Sequence, residues 1–367
     1  MQSDLIVVGG GPAGLATAIA ASLKGLRVIV IDARKPPIDK ACGEGILPHG
    51  VAALRGLGVN LDSTTAIPFC GLSFSDDESS VNGTFASGTA FGIRRTALHR
   101  LLVERATDLG VSFAWESRAM QFDSSSVHTS KGSFSYTWLI GADGERSAVA
   151  KFAGLAPHRR LRPRFGFRRH YAIEPWSDRV EFRWGDKCQI AVTPTGPREV
   201  CVSFFTSDPA NRIDRGLRLF PEVARRIRDA RPLSSEAGAI TILRRARAVT
   251  RGNVALVGDA SCTVDGIAGM GLSLALQQAL HLADALGKDK PSQYESAHRQ
   301  LVRTPMRITR LLLAMNASSA LRRKLLRLLA SKPVLFSRMI SIHGSESTAR
   351  AIGAAEILNL GWRAIWA

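Results

Sequence analysis

The stretch Leu5-Ile6-Val7-Val8-Gly9-Gly10-Gly11-Pro12-Ala13-Gly14 decides the fold of this 367-residue chain. Its first four residues are apolar and mostly β-branched, which is typical of a buried parallel strand. Residues 15–24 are rich in alanine and predict a helix that stops at Gly25, and residues 26–31 form a second apolar strand that ends at Asp32. This strand–helix–strand order is the context in which a G-x-G-x-x-G motif binds a dinucleotide.

Each glycine of the motif has its own physical task. Gly9 permits the tight turn, Gly11 lets the backbone approach a pyrophosphate, and Gly14 lets the helix pack closely on the strand. Pro12 and Ala13 lie at the helix start, where free N–H groups and a partial positive charge favour phosphate. The motif therefore predicts the phosphate-binding part of a nucleotide site.

The acid at the end of the second strand narrows the choice of nucleotide. Asp32 stands where a carboxylate accepts hydrogen bonds from a ribose diol, and it would repel a phosphate on that ribose. NAD or FAD is therefore favoured over NADP at this position. Ala33 and Arg34 follow the acid in the same loop, and Arg34 is a candidate to lie along the adenine or the pyrophosphate.

Two later segments repeat the pattern of a buried strand that ends in glycine and aspartate. One is Trp138-Leu139-Ile140-Gly141-Ala142-Asp143-Gly144. The other is Asn253-Val254-Ala255-Leu256-Val257-Gly258-Asp259, which continues into Gly269-Met270-Gly271-Leu272 and a helical run over residues 272–286. The Asp259 carboxylate suits ribityl hydroxyls, and a helix beginning near Gly271 directs its positive end at a flavin ring that becomes anionic on reduction.

In these three segments the chain resembles the flavoprotein superfamily of para-hydroxybenzoate hydroxylase and the geranylgeranyl reductases. The resemblance covers about residues 1–290 and implies FAD as cofactor, held by all three segments together. It also places an arginine near Arg95 beside the FAD, with Thr96 as the expected cap of a helix over residues 97–109. Asp143 and Gly144 are implied to brace the pyrophosphate and the approach of a pyridine nucleotide.

The loop Asp39-Lys40-Ala41-Cys42-Gly43-Glu44-Gly45 resembles the Cys-Gly loop of the geranylgeranyl reductases. In that family the loop lies near the flavin and substrate, so Cys42 and Glu44 are candidate catalytic contacts and Gly43 a cofactor contact. The alternative is that Cys42 is a small packed residue. The sequence also departs from both subfamilies, because residues 188–194 lack the aromatic strand of the reductases and Ser261 and Cys262 replace the His and Pro of the hydroxylases.

The fold class that follows is α/β. A Rossmann-like FAD-binding domain is predicted from residues 1–67, 93–155 and 240–290, with a small meander over residues 111–137. An inserted antiparallel sheet that faces the substrate is predicted from residues 68–92 and 156–239, with residues 209–231 helical, and residues 291–367 are predicted to be C-terminal helices. The strand pattern offers candidate substrate contacts at Arg168, His170, Trp184, Gln189 and Thr193. The alternative is that Arg164, Arg168 and Arg169 form a solvated basic face.

Charge is the unusual property of this composition. The formal net charge is +18, and residues 296–345 contain ten Lys or Arg and neither Asp nor Glu. We expect these amphipathic helices either to contact anionic lipid or to pack on the flavin domain with a solvated basic rim. Nucleic acid is disfavoured as a partner because no aromatic stacking platform accompanies the charge.

The sequence also bears on cellular location. No apolar run is long enough to span a membrane, and no signal peptide is visible. The five cysteines are scattered, which argues against a disulfide framework. A cytoplasmic location is therefore expected, with peripheral membrane contact as a further possibility.

These features predict an FAD-dependent oxidoreductase. A single-component monooxygenase that takes electrons from NAD(P)H and acts on a hydrophobic or aromatic substrate is favoured, since the prenyl-gripping strand is missing. Reduction of C=C bonds, as in the geranylgeranyl reductases, is the alternative. A flavin-binding protein at a membrane surface without catalysis is the second alternative. Histidine spacing offers no metal site, and the oligomeric state is left open.

Overall fold

A computed structural model describes residues 2–157 and 163–342. In these residues the strands, in chain order, are β1 (Gln2–Val8), β2 (Val28–Ile31), β3 (Gly45–Ile46), β4 (Ile67–Phe69), β5 (Gly71–Ser75), β6 (Ser80–Thr84), β7 (Ala90–Gly92), β8 (Ser112–Ala114), β9 (Ala119–Phe122), β10 (Ser126–Thr129), β11 (Gly132–Gly141), β12 (Arg164–Tyr171), β13 (Arg179–Trp184), β14 (Cys188–Gly196), β15 (Glu199–Thr206), β16 (Ala237–Thr241), β17 (Arg244–Arg245), β18 (Thr250–Arg251), β19 (Val254–Leu256) and β20 (Cys262–Thr263). The α-helices are α1 (Pro12–Ser22), α2 (Pro48–Gly56), α3 (Arg95–Asp108), α4 (Ala148–Phe152), α5 (Ile213–Arg218), α6 (Pro221–Arg226), α7 (Gly271–Gly287), α8 (Pro291–Ala317), α9 (Ser319–Ser331) and α10 (Pro333–Ile342).

The first sheet is the Rossmann-like core. Its strand order is β18-β19-β11-β1-β2-β8, and β19, β11, β1, β2 and β8 run parallel. The β1 side chains Leu5, Ile6 and Val7 are fully buried between helices, as the apolar run predicts. Val8 pairs with both Ile31 and Gly141. The carboxyl ends of β1, β2, β11 and β19 therefore meet at one edge, which we call the cofactor edge.

The first helix packs unusually close to the strand that precedes it. It begins at Pro12, whose fixed φ and missing N–H suit the first helical position, three residues earlier than the sequence predicts. A methyl group placed on Gly14 would lie 1.8 Å from the carbonyl oxygen of Gly9, and Gly9 itself has φ +112°. These two positions therefore require glycine for the packing and turning tasks that the motif predicts.

The second sheet has the order β16-β12-β15-β14-β13-β5-β6. All its neighbours are antiparallel except β13 and β5, which run parallel. It therefore combines strands from 71–84 and from 164–241. Strands β3 and β4 instead both pair with β7, antiparallel, in a separate three-stranded sheet.

Three local predictions are corrected by the structure. Within residues 111–137, β9 and β10 form a meander with β11, but β8 joins the core sheet parallel to β2. Residues 209–231 hold two short helices, α5 and α6, rather than one. Thr96 is not a cap, because α3 already begins at Arg95 and the capping position, Arg94, makes no side-chain cap.

The C-terminal helices pack on both parts of the protein. Helix α8 packs along α7 of the flavin domain, as one of the two expectations has it, and near its start the Tyr294 hydroxyl donates to the Leu256 carbonyl at 2.7 Å. Helices α9 and α10 pack on β6 of the second sheet, which was not expected. Further along, Leu312, Leu326 and Phe336 bury their side chains in the apolar cluster beside β5 and β13. The end of the predicted segment, 343–367, lies outside the described residues. None of the helices in the described part of the chain has the length and hydropathy to cross a bilayer.

Candidate functional site

A cavity of about 770 Å³ lies at the cofactor edge and extends under the second sheet. Its volume is near the upper end of the range for small-molecule sites. The three separated segments of the sequence meet here, since Gly11, Asp143 and Asp259 all line the same cavity. This convergence is the structural condition on which a single FAD site depends.

All the predicted cofactor residues except one line this cavity, and the exception is Gly14, which packs beneath it. They are Gly9, Gly11, Pro12, Ala13, Asp32, Ala33, Arg34, Cys42, Gly43, Arg95, Asp143, Gly144, Gly258, Asp259, Gly269, Met270, Gly271 and Leu272. The sequence did not point to Lys40, whose Nζ lies 2.7 Å from the Asp259 carboxylate and so joins the loop of residues 39–45 to the third segment at the cavity wall. The N-terminus of α7 opens into the cavity at Gly271, where it offers free backbone N–H groups.

Asp32 is already engaged with the glycine turn. Its two carboxylate oxygens accept hydrogen bonds from the backbone N–H groups of Gly10 and Arg34, each at 2.8 Å. A carboxylate oxygen has two lone-pair directions, so each oxygen keeps capacity for a ribose hydroxyl. Asp32 therefore holds the glycine loop in place, and its remaining lone pairs are available for the predicted ribose contact.

Asp143 has one oxygen committed and one free of any partner among the described residues. Its Oδ2 accepts from the backbone N–H groups of Ala148 and Val149 at the start of α4, at 2.6 and 3.3 Å, while Oδ1 is buried without a hydrogen bond. Desolvation raises the pKa of this carboxyl group. A buried polar atom without a partner calls for a ligand or water. Arg95 Nε, also at the cavity wall, is a second such atom. These atoms fit a polar dinucleotide in the cavity.

The strands of the second sheet present alternate side chains to the cavity. Arg168, Ser203 and Thr193 form a polar part of this wall, and Phe182 and Phe205 an apolar part. The two phenylalanines were not singled out from the sequence, although their alternation with buried neighbours on β13 and β15 marks them as inward-facing.

The predicted substrate residues divide into three groups. Arg168 and Thr193 line the cavity. His170 lies on the same face of β12 as Arg168 but behind the wall, against Glu44. Trp184 and Gln189, a cross-strand pair, are fully buried and do not line the cavity.

The alternative of a solvated basic face is wrong. Arg164 and Arg168 are buried and paired with Asp265 at 2.7 Å and Asp39 at 2.5 Å. Arg169 points to the other side of the strand and pairs with Asp214. A buried guanidinium needs such a partner because desolvation of an unpaired charge is costly, and each partner is more than 40 residues away in sequence.

The Cys42 loop forms part of the cavity wall and packs against the second sheet, where Asp39 pairs with Arg168 and Glu44 with His170. Cys42 lines the cavity, and burial raises the pKa of its thiol. The side chain of Glu44 is enclosed, and its Oε2 lies 2.6 Å from His170 Nε2. The loop therefore brings a neutral thiol and a buried carboxylate–imidazole pair to one end of the cavity.

Glu44, His170 and Cys201 place three possible metal-ligand atoms within 4.8 Å of one another. Two observations favour a hydrogen-bonded cluster over a cation here. Glu44 and His170 already bond directly to each other, and Arg168 Nε stands 4.0 Å from Glu44 Oε1 with its own positive charge. Burial also raises the pKa of the Cys201 thiol well above its usual range, so the thiolate that a metal prefers is disfavoured.

Comparison with known proteins agrees with this site. A family profile described as FAD binding domain matches residues 2–181. The chain is 30% identical over 327 residues to a menaquinone reductase of Mycolicibacterium smegmatis, covering 81% of this chain and 79% of that protein. It is 29% identical over 163 residues to a rifampicin monooxygenase of Rhodococcus hoagii, covering 41% and 33%. In fold it is similar to a flavoprotein/dehydrogenase from Cytophaga hutchinsonii, with a TM-score of 0.79, 18% identity and coverage of 93% and 92%.

The fold and the site thus define an FAD-dependent oxidoreductase. The chain belongs to the flavoprotein superfamily that includes para-hydroxybenzoate hydroxylase and the geranylgeranyl reductases, as its sequence motifs indicate.

Proposed function

We propose that this enzyme reduces C=C bonds in the isoprenoid chain of a quinone or a related lipid. The long match to a protein named menaquinone reductase supports a reductase, because it spans about four-fifths of both chains. Menaquinone carries an isoprenoid chain, and the sequence loop at Cys42 resembles that of reductases acting on isoprenoid C=C bonds. The sequence patterns favoured oxygenation and gave C=C reduction as the alternative, and this proposal reverses that order.

The cavity has the chemistry that such a substrate needs. When bound, FAD supplies the hydride for the reduction, and the residues of the cofactor edge would hold it. Phe182, Phe205 and Leu72 offer an apolar wall to a hydrocarbon chain. Burial of each isoprenoid CH₂ or methyl in such a wall is worth about 0.8 kcal/mol.

The observation that carries the proposal is the neutral Cys42 thiol at the cavity wall. Reduction of an alkene places a hydride on one carbon and a proton on the other. An alkene carbon is a very weak base, so the proton must come from an acid held against it. The Cys42 thiol carries such a proton at the cavity wall. Burial raises its pKa and makes it a weaker acid than a free thiol, so its suitability for this role lies in its position.

A second candidate function is oxygenation with NAD(P)H as electron donor. It is favoured by the match of about two-fifths of the chain to rifampicin monooxygenases. Arg168 and Thr193 at the cavity wall could bind a phenolate or carboxylate of an aromatic substrate. This function predicts that oxygen is consumed in proportion to product.

Anaerobic turnover separates the two functions. The holoenzyme, reduced with dithionite or NAD(P)H, is mixed without oxygen with menaquinone, and the product is analysed by mass spectrometry. We expect a gain of two hydrogens in the isoprenoid chain that persists after the quinol ring has been reoxidised in air, with loss of this product in Cys42→Ala and retention of flavin reduction. Product that forms only with oxygen, and carries an added oxygen atom, would establish the monooxygenase instead. Absence of substrate-stimulated turnover across quinones, isoprenoid lipids and phenols would leave the non-catalytic alternative.

A substrate dissolved in lipid also requires access to a membrane, and we propose that α8 provides electrostatic contact. Arg299, Arg303, Arg307 and Arg310 recur at helical spacing and are all exposed. The apolar face of the helix is buried in its own protein, so this contact is one of charge and not of insertion. Each such arginine near an anionic bilayer contributes about 1 kcal/mol.

A further inference from the structure

Helix α3 begins without a cap from its own sequence. Arg94, at the capping position, makes no side-chain cap, and the first turn contains no acidic residue. The first backbone N–H groups of a helix must therefore find acceptors elsewhere. Glu44, 51 residues earlier in the chain, supplies one, because its Oε1 accepts the backbone N–H of Arg95 at 3.0 Å. The positive end of the helix dipole favours a carboxylate at this place.

The backbone brings Glu44 to the start of α3. Gly45 pairs with Gly92 across β3 and β7, and the Ile93 backbone N–H donates to the Glu44 carbonyl oxygen at 3.0 Å. Glu44 itself has φ +59°, in the left-handed region where a residue with a β-carbon is strained. Strain of this kind persists where surrounding contacts enforce it and points to a function. The function is to be sought in the contacts of the side chain.

The second oxygen of Glu44 is fixed from the second sheet. Oε2 lies 2.6 Å from Nε2 of His170, on β12. Ser234 Oγ accepts the backbone N–H of His170 at 3.2 Å and an N–H of Arg168 at 3.3 Å, so its own hydrogen is left to donate to His170 Nδ1, 2.9 Å away. Nδ1 is then an acceptor, and Nε2 carries the hydrogen that it donates to Glu44. Ser234 and His170 thus hold Glu44 in one orientation.

Arg95 is the residue that these contacts place at the cavity. It lines the cavity wall, and its Nε is buried without a hydrogen bond to any described residue. Its Nη2 lies 3.8 Å from the position of a methyl group on Gly11. The guanidinium therefore flanks the glycine turn, where the pyrophosphate of FAD is expected. A guanidinium is well suited to phosphate because it donates parallel, charge-assisted hydrogen bonds.

We propose that Glu44, His170 and Ser234 are positioning residues for FAD, because they fix the start of α3 and so direct Arg95 at the pyrophosphate. This gives His170, which lies behind the cavity wall, a role other than the substrate contact that the sequence predicts. It also explains why a glutamate stands where glycine would be less strained. The inference goes beyond the proposed reaction, since FAD serves either of the two candidate functions.

The test is a double-mutant cycle on the dissociation constant of FAD, measured by flavin fluorescence as the holoenzyme is diluted. Arg95→Ala removes charge-assisted hydrogen bonds to phosphate and should weaken FAD binding about 10- to 100-fold. His170→Phe, which keeps a ring but removes the donor to Glu44, should weaken it about three- to tenfold. In the Arg95→Ala background, His170→Phe should change the constant by less than about twofold, because a positioning residue acts through Arg95.

Two further variants separate the hydrogen bond from packing. His170→Gln places an amide N–H donor near the position of Nε2, so FAD affinity should stay close to that of wild type. Tyr171→Phe is the matched control, since Tyr171 is the next residue of β12, is also buried, and bonds Arg169 on the other side of the strand. It should leave FAD affinity unchanged. Ser234→Ala, a smaller change, should weaken FAD in the same direction as His170→Phe and serves if that variant fails to fold.

Equal FAD affinity in wild type, His170→Phe and Ser234→Ala would overturn the inference. So would wild-type affinity in Arg95→Ala, or the same loss from His170→Phe with and without Arg95, because His170 would then not act through that residue. An equal loss in His170→Phe and His170→Gln would assign the effect to packing and would also overturn it. The assay needs no substrate, so failure of the wild type to reduce isoprenoid lipids would affect only the proposed function.

Discussion

The substitution Gly11→Ala should separate FAD binding from folding. Gly11 precedes α1 with φ −75° and ψ 178°, an extended conformation that alanine adopts without strain. A methyl group there would lie 3.8 Å from Arg95 Nη2, an ordinary contact distance. The FAD-free fold therefore accommodates alanine, at a capping cost of a few tenths of a kcal/mol to about 1 kcal/mol.

The same methyl group projects into the cavity where the pyrophosphate is expected. If it displaces two N–H···phosphate hydrogen bonds of about 1.5 kcal/mol each, the loss is about 3 kcal/mol, or roughly 150-fold in affinity. Titration of the FAD-free protein with FAD, followed by flavin fluorescence or calorimetry, measures this loss. Thermal unfolding of the same FAD-free sample should be shifted by no more than a few degrees.

Gly14→Ala is the contrasting control. Its methyl group would meet the Gly9 carbonyl oxygen at 1.8 Å, so the helix must move away from the strand. The expected destabilisation exceeds the ordinary overpacking cost of about 1–3 kcal/mol and outweighs the helix-propensity gain of about 1 kcal/mol. An FAD affinity within twofold of wild type in Gly11→Ala, or wild-type stability in Gly14→Ala, would refute this assignment of glycine roles.

Two further outcomes concern acid stability and membrane contact. Burial lowers the pKa of His298 to about 4 from 6.5, so the unfolded chain binds more protons between these values. Stability should therefore fall by up to about 3 kcal/mol as the pH drops through this window, and His298→Gln should flatten the fall in urea unfolding at pH 7 and pH 4.5. The double variant Arg303→Gln/Arg307→Gln should weaken sedimentation with anionic vesicles by about 2 kcal/mol. The control Arg323→Gln/Arg327→Gln, on arginines already paired with a carboxylate, should change it less, and equal partitioning of all forms would remove the membrane contact.

The cofactor edge could be predicted from sequence because its requirements are local. Each of the three segments contains both a buried strand and the glycine or aspartate that follows it, so one short stretch of chain specifies both burial and turn. Parallel strands end at a common edge, and this brings Gly11, Asp143 and Asp259 together. What the sequence did not predict is the hydrogen-bond partner of a side chain at the end of a strand. One example is Asp143, which accepts a hydrogen bond from the backbone of α4.

The substrate wall was less predictable because its contacts are long-range. Alternation correctly places Arg168 and His170 on one face of β12, but it cannot reveal that Asp39 and Glu44, from a loop more than 100 residues earlier in the chain, will bond to them. Without those partners, an arginine-rich strand is expected to face water, which was the wrong alternative. The same limit applied to α9 and α10, whose place on β6 of the second sheet the sequence did not indicate.

The choice between adding hydrogen and adding oxygen is made by a few side chains on a shared fold. Fold similarity alone does not determine it, because one architecture hosts many reactions. What distinguishes the two at this site is the supply of protons. An enzyme that reduces an alkene must hold an acid in protonated form in a cavity closed to water, whereas hydroxylation of a phenol requires the substrate oxygen to be activated by a base or cation. Cys42, a thiol that lines the cavity, is the candidate acid for the first requirement. Arg168, the cation best placed for the second, is already neutralised by Asp39, and this asymmetry favours the reductase.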